Sequence, residues 1–274
     1  MKKTLLIAAA AFMTSALFAY DEEILEFNGT PATYTKTEYS VTSKFGEYFR
    51  TVDMKHVHTY SDGLMTKTVS LNPKDEVLDS IEYEYGEDKK LASEILKDSA
   101  GTTFRKISYD YYPDGKLKSE SAYSSAGDLT GKTIYKYEDN RTTESLYNSE
   151  GKLVSRTISY LAKDGRTSEA AYYFSDGSLS HAEKFTYDEN GKTTMVENLD
   201  SDGKKAGRTV YCYDKNGWMS EIQVYATEND LIQREVYTTD GKGNPLKVSI
   251  YEIAEKFGAT ANELISITEY SYSY

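Results

Sequence analysis

The 274 residues carry 32 Lys and Arg against 44 Asp and Glu, a net charge of −12. That balance repels nucleic-acid phosphates and anionic lipid surfaces and tells against both as partners. A single cysteine, Cys212, excludes an internal disulfide.

Met1-Lys2-Lys3 followed by the apolar run from Thr4 to Met13 has the charged and apolar regions of a secretory signal peptide. The run is too short to span a bilayer as a helix, which takes about 20 residues. Cleavage is expected after Ala19, with Ala16 as the alternative. The signal peptide is then 1–19, and 20–274 remain as one β-repeat domain with no transmembrane segment. Losing Lys2 and Lys3 leaves 30 basic against 44 acidic residues, a net −14. A periplasmic or cell-surface location follows.

Early turns are expected at Lys44-Phe-Gly46, Tyr60-Ser-Asp-Gly63, Asn72-Pro73-Lys-Asp75, Gly86-Glu-Asp88 and Asp98-Ser-Ala-Gly101. Beyond them a Tyr, three residues and a Gly return repeatedly. Examples are Tyr111-Tyr-Pro-Asp-Gly115, Tyr147-Asn-Ser-Glu-Gly151, Tyr187-Asp-Glu-Asn-Gly191, Tyr213-Asp-Lys-Asn-Gly217 and Tyr237-Thr-Thr-Asp-Gly241. The turns fall in pairs about 26 residues apart, clearest over 106–251, and fixed-period self-similarity marks a repeat architecture. Where Gly is missing, Glu138-Asp139-Asn140 and Thr227-Glu228-Asn229-Asp230 take its place, because Asn and Asp tolerate left-handed backbone.

Between turns, segments such as Lys132-Thr-Ile-Tyr-Lys-Tyr137 and Thr209-Val-Tyr-Cys-Tyr213 are β-branched and aromatic with period-two alternation. A helical turn is expected only within Ile253-Ala-Glu-Lys-Phe-Gly-Ala-Thr-Ala-Asn-Glu263, before a last strand over Leu264 to Tyr274. Short connections make neighbouring strands antiparallel, and the turn spacing gives about eighteen of them. In one strand Leu117, Ser119, Ser121 and Tyr123 form the mildly apolar face and Lys116, Lys118, Glu120 and Ala122 the charged one. Leu179, His181, Glu183, Phe185 and Tyr187 are mixed even on the better face of theirs. A sandwich core demands cleaner alternation. The fold class is therefore all-β, an antiparallel β-hairpin repeat meander forming a curved, largely single-layer sheet or shell. Sheets of more than about ten strands curl or close; coil, shell and propeller-like wrap all fit the pattern.

Tyr111-Tyr-Pro-Asp-Gly-Lys-Leu-Lys-Ser-Glu120, with Tyr123, Gly127-Asp-Leu-Thr-Gly-Lys132 and Tyr135, resembles the variant MORN repeat of YwqK-type proteins. Phe185-Thr-Tyr-Asp-Glu-Asn-Gly-Lys192 and Tyr211-Cys-Tyr-Asp-Lys-Asn-Gly-Trp218 look like the YD repeat of RHS-type proteins. Together the resemblances span roughly residues 54–251, and Leu199 in place of Tyr before Gly203 departs from both. They imply antiparallel hairpin repeats with roles in scaffolding, enclosure or surface binding. Some YwqK-type members are described as antitoxin components, a cytosolic role at odds with a signal peptide. The chain is far too short for the large enclosing shell of RHS toxins.

Few constellations carry chemistry. His56-Val-His58 places two imidazoles on one strand face and begins a zinc site that Asp62 would have to join; two exposed polar residues are the preferred reading. Asn198-Leu-Asp200-Ser-Asp202-Gly203 matches the first half of a calcium loop, but Thr209 stands where the bidentate Glu belongs. Asp, Asn and Gly are also what tight turns require, so a structural turn is preferred. Cys212, between two tyrosines, reads as a small semi-buried hydrophobe. No nucleophile elbow, phosphate loop or His-Glu-x-x-His occurs. The 26 Tyr are read first as a ladder that holds a thin sheet together and second as a row that grips ligand.

The expected function is a non-enzymatic scaffold or binding module for protein or envelope partners, with no catalytic residues and no cofactor. A calcium or glycan binder is the alternative. An outer-membrane barrel or a hydrolase is less favoured.

Overall fold

The computed structural model describes residues 28–29, 31–256 and 259–274; the expected signal peptide lies outside them. Its strands are β1 (Thr33–Lys44), β2 (Glu47–Ser61), β3 (Leu64–Leu71), β4 (Val77–Tyr85), β5 (Leu91–Asp98) and β6 (Thr103–Tyr111). β7 (Leu117–Ser124), β8 (Leu129–Glu138), β9 (Arg141–Asn148), β10 (Leu153–Leu161), β11 (Thr167–Phe174) and β12 (Leu179–Tyr187) follow. β13 (Thr193–Leu199), β14 (Lys205–Tyr213), β15 (Met219–Tyr225), β16 (Leu231–Thr239), β17 (Pro245–Lys256) and β18 (Ala259–Ser273) complete the chain. Each pairs antiparallel with the next, and Thr33 of β1 pairs with both Thr59 of β2 and Ser273 of β18. The sheet is therefore a closed 18-stranded barrel. At 4.7–4.9 Å between strands, its wall is about 85 Å wide measured across the strands.

The expected helical turn is overturned. Ile253 to Lys256 belong to β17 and Ala259 to Glu263 to β18, paired in register from Ile253 with Asn262 to Lys256 with Ala259. Pairing with a neighbouring strand overrides a local Ala-rich preference.

Register shows how the wall closes. Read straight across the strands, Tyr34 faces His58, then Thr68, Ile81, Leu96, Arg105 and Ser124. A row that begins at one rim in β1 has thus reached the other rim by β7. The strands are tilted to the barrel axis, as closure requires. Glu94 faces Ile107, which faces Ala122, although its repeat equivalent is Glu120. Each hairpin is displaced by two residues, the stagger a tilted wall needs to keep its turns level.

The turns repay a close look. At Asp188 the backbone N–H donates to the Lys192 carbonyl at 2.9 Å, and Gly191 N–H donates back at 3.1 Å. The Asp188 carboxylate then accepts the N–H groups of Asn190 and Lys192 at 2.9 and 2.8 Å. Asp98, Asn148, Asp200, Asp214 and Asp240 repeat the arrangement. The fourth residue has left-handed φ, hence Gly, for example Gly191 at +84°. In the last copy that residue is Gly243 (φ +91°) and not Gly241, so the repeat read from Tyr237 is displaced by two residues.

Among the described residues, no strand lies within 8 Å Cα–Cα of any but its two neighbours. Cores form within the wall, as where Ile81, Leu96, Ile107 and Ala122 pack with Tyr83 and Tyr109. The inner face, where concave curvature crowds side chains, holds Tyr34, His58, Val196 and Thr133, none more than 2% exposed. The outer face carries ion pairs and buries mainly small residues such as Ser119, Ser121, Ala171 and Ala182. In β7 the face with the charged residue is the inner one: Glu120 and Ala122 point inward, and Ser119, Ser121 and Tyr123 outward. A short strand with two serines on its weaker face gave no apolar contrast to read.

Candidate functional site

The inner wall is the chemically distinctive surface. It is organised by Tyr-x-Tyr pairs at the ends of β4, β6, β8 and β14, namely Tyr83/Tyr85, Tyr109/Tyr111, Tyr135/Tyr137 and Tyr211/Tyr213. The first Tyr reaches diagonally to the preceding hairpin. Tyr109 donates its hydroxyl to Glu94 and Tyr135 to Glu120, both at 2.8 Å. Tyr83 bonds the Thr68 hydroxyl at 3.2 Å, and in β11 Tyr172 donates to Glu183 at 2.9 Å. The bonds are diagonal because Glu94 stands opposite Ile107 and Glu120 opposite Thr133, each two residues before the tyrosine.

The second Tyr serves the backbone at the rim where the strands begin and end. Tyr85, Tyr111 and Tyr213 donate to the carbonyls of Met65, Leu91 and Thr193 at 2.7–2.8 Å, and Tyr187 does the same to Thr167. A cation from the preceding turn on that rim covers several of these rings. Lys90 lies over Tyr111 at 5.3 Å, Lys116 over Tyr137 at 5.1 Å, Arg166 over Tyr187 at 4.6 Å and Lys192 over Tyr213 at 4.9 Å. Trp218 takes the equivalent place over Gly243, where a Cβ would meet its indole nitrogen at 2.5 Å. Such cation–ring contacts stabilise by about 0.5–1 kcal/mol each when exposed.

Burial pushes the Glu94 and Glu120 carboxyls up, against the pull of the tyrosine hydroxyls that bond them; Glu120 adds repulsion at Glu94. Burial and the adjoining carboxylates push the Tyr109 and Tyr135 phenols up as well. The inner face thus presents alternating carboxyl and phenol groups already bonded to one another.

The histidines join this wall, which corrects the expectation that His56 and His58 are exposed. They are 5% and 1% exposed, because β2 turns that face inward. His58 stacks on Tyr34 at 4.1 Å between ring centres and bonds the Thr68 hydroxyl at 3.0 Å. His56 meets the Ser70 hydroxyl at 3.3 Å. His181 stacks on Tyr172 at 4.1 Å, and burial lowers its pKa against the pull of Glu183. Asp62 stays exposed at a rim cleft of about 400 Å³ lined by Pro31, Ala32, Tyr60 and Gly63. Among the described residues, no three His, Cys, Asp or Glu are grouped to hold a metal.

Asn198, Asp200 and Asp202 do not converge either. Asn198 points inward from β13 opposite Gly207. Asp200 is engaged by the N–H groups of its own turn, and Asp202 lies beside Lys204 at 3.1 Å. Cys212 is half-buried on the outer face, its thiol pKa raised by burial and then by Glu221. The inward carboxylates were missed in the sequence. Their signal is the equal spacing of Glu94 from Tyr109 and Glu120 from Tyr135.

No family profile and no curated protein matches the chain. Solved structures do. A porin-like protein from Bacteroides uniformis aligns at TM-score 0.49 and 9% identity, over 89% of this chain and 98% of that one. A LolA superfamily protein from Nitrosomonas europaea aligns at TM-score 0.26 and 9% identity, over 89% and 86%. The Photorhabdus luminescens Tc holotoxin pore aligns at TM-score 0.25 and 12% identity; the match covers 87% of this chain but only 17% of that one. Likeness at this level assigns neither family nor activity.

Proposed function

We propose that this chain is an exported, non-enzymatic β-barrel that acts as a binding module for a protein or envelope component in the periplasm or at the cell surface. The observation that carries the reading is the bonded inner wall. Glu94, Glu120 and Glu183 are each held by a tyrosine hydroxyl, so they form a fixed recognition surface instead of a mobile acid–base pair. Outward Lys97–Glu82 and Arg234–Glu221 pairs stand where a lipid-embedded barrel needs an apolar band. The repeat kinship with the variant MORN and YD families belongs to the same proposal, supported by a Tyr-and-turn grammar that recurs hairpin by hairpin.

A second reading, a glycan-binding barrel, is favoured by the inward Tyr172–His181 stack beside Glu183. Cell fractionation with crosslinking in the native envelope tests the first reading. Recovery of a defined partner from the envelope fraction supports it, and retention in the cytosol sinks it. Hits on a glycan array that fade in Tyr172→Ala would favour the second. Turnover in a hydrolase screen would overturn both.

A further inference from the structure

Two adjoining hairpins run past the wall at one rim: β17 and β18, paired only with each other from Ile253 with Asn262 to Lys256 with Ala259, and β1 with β2. Beyond Ser40 and Thr51, β1 and β2 pair only with each other, because β18 stops pairing at Ser40 and β3 reaches only Lys55. At about 3.4 Å per residue, the free stretch from Val41 to Lys44 is about 14 Å long. All residues from Thr42 to Arg50 are exposed.

The tip is built against the interest of the fold. Phe45 is fully exposed, and its backbone is left-handed at φ +56°. Among the described residues, the other non-glycine positions with positive φ are Asp62, Asp75 and Lys89, polar side chains that suit a wet turn. A bulky residue in that conformation is destabilising, and an exposed ring returns nothing to stability. Tyr48 and Phe49 follow, 55% and 50% exposed. As successive strand residues they point to opposite faces of the hairpin.

We infer that the β1–β2 tip inserts into the hydrocarbon edge of an uncharged lipid surface. Three aromatics at the end and on both faces suit a medium that surrounds the tip; a protein groove reads one face. The free stretch exceeds the headgroup layer, about 6 Å on each side of a bilayer, so the tight acidic turns that follow β3, β5 and β7 stay outside. The net charge of −12 selects a zwitterionic over an anionic surface. None of this depends on what the inner wall binds.

Flotation of the full chain with phosphatidylcholine vesicles, at low and high salt, tests the inference. The protein should float at both, and less well when phosphatidylglycerol is added. Phe45→Gly should keep or raise the melting temperature, because Gly suits the left-handed position, yet lower vesicle affinity about tenfold or more, as loss of one buried Phe implies. Tyr48→Ser with Phe49→Ser should do the same without touching the turn. Failure of the parent chain to float, or flotation of Phe45→Gly equal to the parent, overturns the inference. A dimer that Phe45→Gly dissolves, with no flotation, assigns the tip to a second copy and also overturns it.

Discussion

The two faces of one wall treat the same side chain in opposite ways. On the inner face, Glu120 is 8% exposed, bonded to a neutral phenol, and its carboxyl is pushed up by burial. On the outer face, Glu221 takes a two-pronged contact from Arg234 at 2.6 and 3.0 Å, which holds its carboxyl down. Glu84, bonded to Ser93 and near Lys106, is lowered too. The backbone is common to both; curvature supplies the difference. Convex spread leaves room for long cations and water, whereas the concave side packs side chains closer and sets Tyr hydroxyls against Glu94, Glu120 and Glu183. Chemistry that is routine outside thus becomes costly, and specific, inside.

The largest effect should come from breaking the wall that both faces share. Gly207 has φ +136°, and a Cβ there would stand 2.6 Å from the Tyr225 carbonyl of the neighbouring strand. Gly207→Ala is expected to cost more than about 3 kcal/mol by urea denaturation; an unchanged midpoint would show that β14 can shift. Next is the inner bond. Tyr135→Phe leaves Glu120 without its donor and should cost about 1.5–3 kcal/mol at neutral pH. If thermal melts show no loss, the Tyr–Glu ladder is incidental.

The third prediction sharpens the contrast through pH. A carboxyl raised by folding stabilises the protonated protein. That contribution is complete below the ordinary Glu value, about 4.3, and is lost as pH rises through the folded value. Glu120→Gln keeps an acceptor for Tyr135 and stays neutral, so melts should match the parent in acid and rise above it toward neutral pH. A Glu221→Gln variant should behave in reverse, losing stability at neutral pH and converging on the parent as pH falls through the lowered carboxyl value. Parallel curves for the two variants would erase the distinction between faces. The smallest effect is Arg234→Gln, a partly exposed outer pair, expected to cost about 0.2–1 kcal/mol in a double-mutant cycle with Glu221.

Much of the fold was legible. Turn grammar told where strands end, because Asp188, Asn190 and Gly191 have local jobs that neighbours in space do not alter. It slipped at Gly241, where Asp-Gly-Lys-Gly offered two glycines and only the closing bonds to Asn244 choose between them. The candidate site was less legible. His56 and His58 share a face by period alone, but exposed or buried depended on which way that face turned. Glu94 and Tyr109 are fifteen residues apart on facing strands, and their contact is a diagonal one that needs the face they share to turn inward.

The amino-acid order by itself determined an all-β chain of short antiparallel strands, since β-branched runs, tight-turn residues and a fixed period act over a few residues each. Closure came only with tertiary structure. Thr33 must meet Ser273 across the whole length of the chain, a meeting that depends on stagger accumulated over every hairpin and on no single segment. Inside and outside were decided with it, because alternation defines two faces and only curvature says which one loses its water.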